Sequence, residues 1–311
     1  MLSRRNIRIK VMQVLYAMNR DQALTKTKAL AYYHQNINQS YELFLLNLLQ
    51  FIKVAEYTKI VKKKKLDKFR PTEEDLSFQP KLLENELISS LIKNLSLYKE
   101  FQNYKTGNLI SEDNTRTFYK ELSKTDQYQE YLKKNDLTIE DHRQILIHLY
   151  KTMLGNEVFE DVLDEKFLFW DDDKSLVIGA MKKTIKALPT TEDFFEAFKP
   201  TDETVVDFGE VLLNKVQSDG EELFNLIEPT LKNWDAERVA VIDMILLKMA
   251  VCELVSFPTI PTKVTLNEFV EISKLYSTDK SKDFINGILD RLLKKLEKEG
   301  KVLKEGRGLI Q

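Results

Sequence analysis

From Val205 to Leu292 apolar side chains return at three- and four-residue intervals, segment after segment, and the same rhythm runs through much of the remaining chain. That spacing gathers them on one face of an α-helix. With only 9 Gly and 7 Pro in 311 residues, the chain has few means of reversing direction. Sandwiches, barrels and propellers need a reverse turn about every 8–12 residues. The expected fold class is therefore all-α, with long helices and short connections. A hydrophobic content of 43% is enough to build a core and sets wholesale disorder aside.

The length fits one large or two ordinary domains. One cysteine, Cys252, excludes an intramolecular disulfide framework and suits a reducing compartment. No apolar run of 18 residues offers a membrane span, and no apolar segment of the secretory type follows the basic start. A cytoplasmic protein is expected. The formal charge of −2 hides an asymmetry. Residues 1–20 carry five cations and no acid, residues 156–210 hold 15 Asp/Glu against 6 Lys, and residues 291–307 hold 7 Lys/Arg against 3 Glu. Basic ends around an acidic middle point to a polyanionic partner.

The segment from Arg4 to Arg20 reads as a two-faced helix. Ile7, Val11, Val14, Leu15 and Met18 form its apolar stripe, and Ser3 stands ready as N-cap. Arg4, Arg5, Arg8 and Lys10 crowd the first two turns, where the helix dipole disfavours cations by a few tenths of a kcal/mol each. Something other than helix stability has placed them there.

Residues 22–65 continue with helical periodicity and end in the run Lys62 to Lys65, before a break at Arg70 and Pro71. A lysine run can meet nucleic acid, but more commonly it is a solvated helix end complementing the dipole. Three further helical stretches are expected near 80–104, 113–134 and 138–154, the last capped by Thr138 with Asp141 and stopped at Gly155. Asp171, Asp172 and Asp173 suit a helix N-terminus better than a metal, because consecutive residues rarely converge on one ion. Pro189 and Pro200 bracket a short helix with Thr191 as its cap, and mark the best boundary.

Beyond this boundary, helices are expected at 204–218 and 221–232. A third, strongly apolar helix follows a cap at Asp235. The rigid segment from Phe257 to Pro261 leads to another, with Thr265 and Glu268 spaced as a capping box. The last helix starts near Ser281. Asp235, Arg238, Ile242 and Asp243, then Ala250, Glu253 and Leu254, then Ile260, Pro261 and Val264, then Asn267, Glu268 and Lys274, and finally Phe284, Asn286, Gly287, Leu289 and Asp290 resemble the NusB family of antitermination factors in order, spacing and type. The match runs over residues 203–295. The opening Arg4, Arg5, Arg8, Gln13 and Tyr16 resemble that family's arginine-rich first helix.

The resemblance implies an all-helical, non-enzymatic protein without a cofactor. Such a protein binds boxA-like single-stranded RNA together with the ribosomal protein NusE and supports the transcription elongation complex on ribosomal RNA operons. It assigns RNA contact to Arg4, Arg5, Arg8, Lys10, Gln13 and Tyr16 in the first helix, and to Lys280, Ser281 and Phe284 at the start of the last. Asp243 falls on the surface that meets the ribosomal protein. Lys280 departs from the acid typical of the family at that position. Four segments follow: 1–22, the arginine-rich first helix; 23–200, a helical insertion with no family counterpart; 201–300, the family-like bundle; and 301–311, a tail.

Elementary chemistry agrees with RNA binding. Arginine grips phosphate bidentately, and each neutralised phosphate releases counterions. Tyr16 or Phe284 offers a surface for base stacking worth roughly 1–3 kcal/mol per base, although the spacing of Phe284 with Ile288 suits a core position equally. An enzyme is disfavoured: no glycine-rich phosphate loop, nucleophile elbow or Cys/His metal spacing occurs, and His34, His142 and His148 are scattered. The remaining rival is a helical protein–protein scaffold in transcription or ribosome biogenesis without RNA binding.

Overall fold

A computed structural model describes residues 1–231 and 238–309. Helices account for nearly all of the regular structure, and no strand occurs among the described residues. None of these helices is long and apolar enough to cross a membrane. The chain divides into two compact units. One comprises residues 2–37 with 200–311, the other Met1 with 38–199.

The second of these is built around the long helix Lys26–Leu66, which passes from one unit into the other. From Tyr41 to Tyr57 it is apolar on nearly every side, with Phe44, Leu45, Leu48, Phe51, Ile52 and Val54 fully buried. A helix apolar all round belongs in an interior. The polar exceptions are satisfied. Asn47 donates to the Leu43 carbonyl at 2.8 Å and accepts from the Tyr150 hydroxyl at 3.0 Å.

Shorter helices surround this pillar, and they are more broken than periodicity suggests. The stretch 80–104 becomes Lys81–Glu84, Glu86–Ile92 and Leu95–Asn103. Asn85 and Asn94 interrupt it by turning their side chains onto the amides of Leu87 and Leu97, each at 2.9 Å. Thr125 likewise caps Asp126–Lys133 and separates it from Glu112–Ser123. A side chain that satisfies the free amides of a new helix ends the old one.

The helix Ile139–Leu154 has the expected capping box: the Thr138 hydroxyl accepts from the Asp141 amide and the Asp141 carboxylate from the Thr138 amide. Thr138→Ala is expected to lower the stability of this unit by about 1 kcal/mol in urea unfolding. The three aspartates 171–173 lie in the first turn of Trp170–Ala187, and Asp173 accepts from the Ser40 hydroxyl at 2.6 Å. Between Pro189 and Pro200 the chain forms the 3-10 turn Phe194–Phe198. Its cap position is Asp193 rather than Thr191, and no side-chain cap bond forms.

In the other unit the apolar helix Val241–Ser256 is central. The helices Arg4–Arg20, Val211–Ser218, Gly220–Ile227, Thr262–Tyr276 and Ser281–Lys298 pack around it. Cys252 is buried on it, and burial pushes its thiol up to about 12. The expected cap at Asp235 lies outside the described residues.

The expected capping box at Thr265 and Glu268 does not form. Pro261, with φ −59° and ψ 141°, starts the helix at Thr262, one turn earlier. Both residues are thereby freed for contacts inside the bundle.

Residues 205–210 form a single π-helical turn. Tyr33 enters here and donates to the Val205 carbonyl at 2.9 Å. Gly209 makes the approach possible, because a Cβ there would overlap the Tyr33 hydroxyl oxygen and the Ile7 side chain.

Candidate nucleic-acid interface

The first helix explains its own charge pattern once its neighbours are seen. Ile7, Val11, Met12, Val14 and Leu15 are buried, so the helix is fixed by its apolar face. Ser3 caps it through a box with Asn6. The cations at its start are met by acids from distant segments. Arg4 reaches Glu203 at 3.2 Å. Arg5 grips Glu268 bidentately at 2.6 and 2.7 Å, and that hydrogen-bonded carboxylate raises its guanidinium above the ordinary value. Arg8 grips Glu253 bidentately, donating from Nε and Nη2 at 2.7 Å each.

The last pair is interior. Arg8 is 2% exposed and Glu253 fully buried. The Thr265 hydroxyl donates to Glu253 at 2.8 Å, and the Arg8 guanidinium lies 5.1 Å from the Phe208 ring and 5.8 Å from that of Phe269. Two charges out of water persist only with this density of partners. The unfavourable dipole term is thus outweighed by tertiary ion pairs. Lys10, only 1% exposed, is interior as well. Gln13 is half-buried, while Tyr16 is exposed about three turns along the helix from Arg5.

At the start of Ser281–Lys298, Lys280 stands exposed at the cap position. Ser281 is buried and donates to Asp243 Oδ2 at 2.7 Å. Its single proton is used there, so the Ser277 and Thr278 hydroxyls, at 2.9 and 2.8 Å, donate to it in turn. Asp243 is itself only 5% exposed. The residue marked for a protein partner and a residue marked for RNA therefore bond to each other inside the unit. Phe284 is half-buried, whereas Asn267 and Asn286 face outward.

Several cations remain accessible. Glu271 on Thr262–Tyr276 pairs with Lys274, and its carboxyl is held below the ordinary range by that lysine first, then by Arg5 and Lys282. Arg5 is bound to Glu268, one turn before Glu271 on the same helix, and Lys280 and Lys282 are exposed at the start of the last helix. Sequence reasoning named Glu253 and Glu268 without their ion-pair partners, and did not single out Glu203 and Glu271. Glu253 had a readable signal, because an acid within a strongly apolar helix requires a buried cation. The others look like ordinary surface residues. Among the described residues no group of three or more His, Cys, Asp or Glu side chains is arranged to hold a metal.

The model of the NusB family matches residues 176–294. Similar curated proteins are transcription antitermination proteins NusB. That of Salinibacter ruber is 42% identical over 109 residues, covering 35% of this chain and 68% of the relative. That of Chloroherpeton thalassium is 38% identical over 104 residues, covering 33% and 49%. That of Natranaerobius thermophilus is 37% identical over 89 residues, covering 29% and 64%. The chain thus spans just over two thirds of the first relative and less of the other two. No solved structure matches the chain.

Proposed function

Because this chain belongs to the NusB family, we propose that it is a non-catalytic antitermination factor that binds boxA-like single-stranded RNA through the exposed face around Arg5, Lys280 and Lys282. The observation that carries this reading is Arg5, an exposed guanidinium of the first helix held in place by two hydrogen bonds to Glu268. Phosphates are the natural ligand for such cations, since guanidinium and ammonium groups neutralise them and release counterions. Arg4 lies at the border of this face, half-exposed, and Tyr16 offers a ring for stacking. Arg8 and Lys10 take a different part. They anchor the first helix and so hold Arg4 and Arg5 in place.

NusE is the proposed partner, with the ribosomal RNA operons and the elongation complex as the setting and the cytoplasm as the compartment. Asp243 serves this arrangement by bracing Ser281. The glutamates opposite Arg4 and Arg5 act as gatekeepers, for a phosphate must displace or share each carboxylate. The same glutamates favour the rival reading, a protein-binding scaffold whose arginines are already neutralised.

A fluorescence anisotropy titration of boxA-like RNA across several salt concentrations separates the two. The triple variant Arg4→Gln, Arg5→Gln, Lys280→Gln is expected to bind at least about tenfold more weakly. Its salt slope should fall by about 0.7 for each phosphate that is no longer neutralised. Unchanged affinity and slope would leave only the scaffold.

A further inference from the structure

The long helix Lys26–Leu66 ends in a turn that lies in the unit of residues 38–199 and outside the family match. Phe69, within it, is 95% exposed. Folding gives a benzyl side chain no reason to stand in water, since its burial is favourable wherever a core can take it. The Arg70 guanidinium lies 5.8 Å from the centre of its ring. Cations and aromatics alternate around it: Lys64 lies 5.6 Å from the Tyr57 ring and Lys65 5.2 Å from that of Phe78.

The buried acid beside this cluster, Asp75, is committed to holding the turn. Asp75 accepts from Lys68 at 2.8 Å, from Lys65 at 3.0 Å and from the Thr72 amide at 3.1 Å. Those contacts, led by Lys68, keep its carboxyl well below the usual carboxylate range. They pin the returning chain and leave Phe69 and Arg70 projecting. Lys59, Lys63 and Arg70 are exposed and make no ion pair among the described residues. Complementing the helix dipole accounts for the lysines. It does not account for an aromatic ring at their tip.

We propose that this turn is a contact for single-stranded RNA, in which a base stacks on Phe69 while Arg70, Lys63 and the adjacent lysines meet phosphates. Every base has a flat face, so one exposed ring flanked by cations suits a strand without requiring a particular sequence. A lipid surface would call for a continuous apolar face. Here Asp67 and Lys68 separate Leu66 from Phe69, and the exposed Glu73 and Glu74 follow closely. The proposal rests on the reading of the chain as an RNA-binding protein and deepens it, giving the additional unit a task of its own.

The test uses the full-length chain and a fluorescein-labelled adenosine oligonucleotide of about 20 nucleotides, long enough for a non-specific site. Phe69→Ala is expected to weaken binding about tenfold, while Phe69→Trp keeps it. Lys63→Gln with Arg70→Gln should lower the salt slope by about 1.4, the share of two phosphates on a single strand. Wild-type affinity and slope in these variants overturn the proposal. Running Arg4→Gln with Arg5→Gln in parallel keeps the two readings apart. Weaker binding only in that variant removes the Phe69 site and leaves the first-helix face, whereas weaker binding only in Phe69→Ala does the reverse. Phosphatidylglycerol vesicles that bind through Phe69, with RNA affinity untouched in Phe69→Ala, would overturn the proposal in favour of a membrane surface.

Discussion

Replacing Glu253 by Ala is expected to destabilise the unit of residues 2–37 and 200–311 by about 3–5 kcal/mol, because it leaves the Arg8 guanidinium buried without a counter-charge. The effect should exceed that of a methylene-sized cavity, since the Thr265 hydroxyl is also left without its acceptor. Arg8→Ala is expected to cost a comparable amount by stranding the carboxylate instead. Removing both charges together, as Arg8→Met with Glu253→Leu, should recover most of the stability, for two well-packed apolar side chains carry no desolvation penalty. With two units in one chain, a single unfolding curve mixes their transitions. Hydrogen exchange at the amides of Val241–Ser256 reports on this unit directly. If Arg8→Met alone costs no more than a surface substitution, the pair is not the anchor described above.

Gly209→Ala should be the other severe change. Its Cβ would overlap the Tyr33 hydroxyl oxygen and the Ile7 side chain, and would lie 2.9 Å from Tyr33 Cζ. Tyr33 and Ile7 are both fully buried, so neither can swing into solvent. Overpacking of this kind costs about 1–3 kcal/mol and sometimes more. It would also break the bond from Tyr33 to the Val205 carbonyl. Since a unit of this size loses roughly 2–4 °C per kcal/mol, the shift is measurable by thermal unfolding. Tyr33→Phe removes the oxygen that collides first, so Gly209→Ala should cost less in that background than in the wild type. Equal costs in both backgrounds would show that the wide turn adapts without help from Tyr33.

Both changes strike packing that prepares the proposed RNA face without belonging to it. The first helix presents Arg4 and Arg5 only while Arg8 is held below them, and Ile7 is fixed against Gly209 by the same packing. A fall in RNA affinity from Glu253→Ala would therefore reflect a loosened helix. The triple variant at Arg4, Arg5 and Lys280 leaves the interior intact and reads the face itself.

Much of the fold was open to reading in the residues. The helix Arg4–Arg20 with its Ser3 cap, the helix Ile139–Leu154 with its box and glycine stop, and the apolar helix carrying Cys252 follow from local periodicity and local hydrogen bonds. The candidate site was less legible. Thr265 and Glu268 have the spacing of a capping box, yet one serves Glu253 and the other Arg5. The pattern i to i+3 occurs at helix starts and within helices alike, and Pro261 decided which applied. Asp243 and Ser281 each looked like a surface residue, but the packing of their two helices turned them towards each other.

By itself, then, the sequence determined that this protein is all-helical, where its apolar stripes run, and that its C-terminal third carries the NusB pattern, because these depend on residues within a few turns of one another. Only the tertiary structure decided which cations face water. Arg8 and Glu253 lie 245 residues apart in the chain, as Arg5 and Glu268 lie 263 apart. An ion pair between distant elements leaves no periodic trace along the chain, so a basic helix end that reads as a phosphate grip is resolved, by packing, into a buried anchor and an exposed edge.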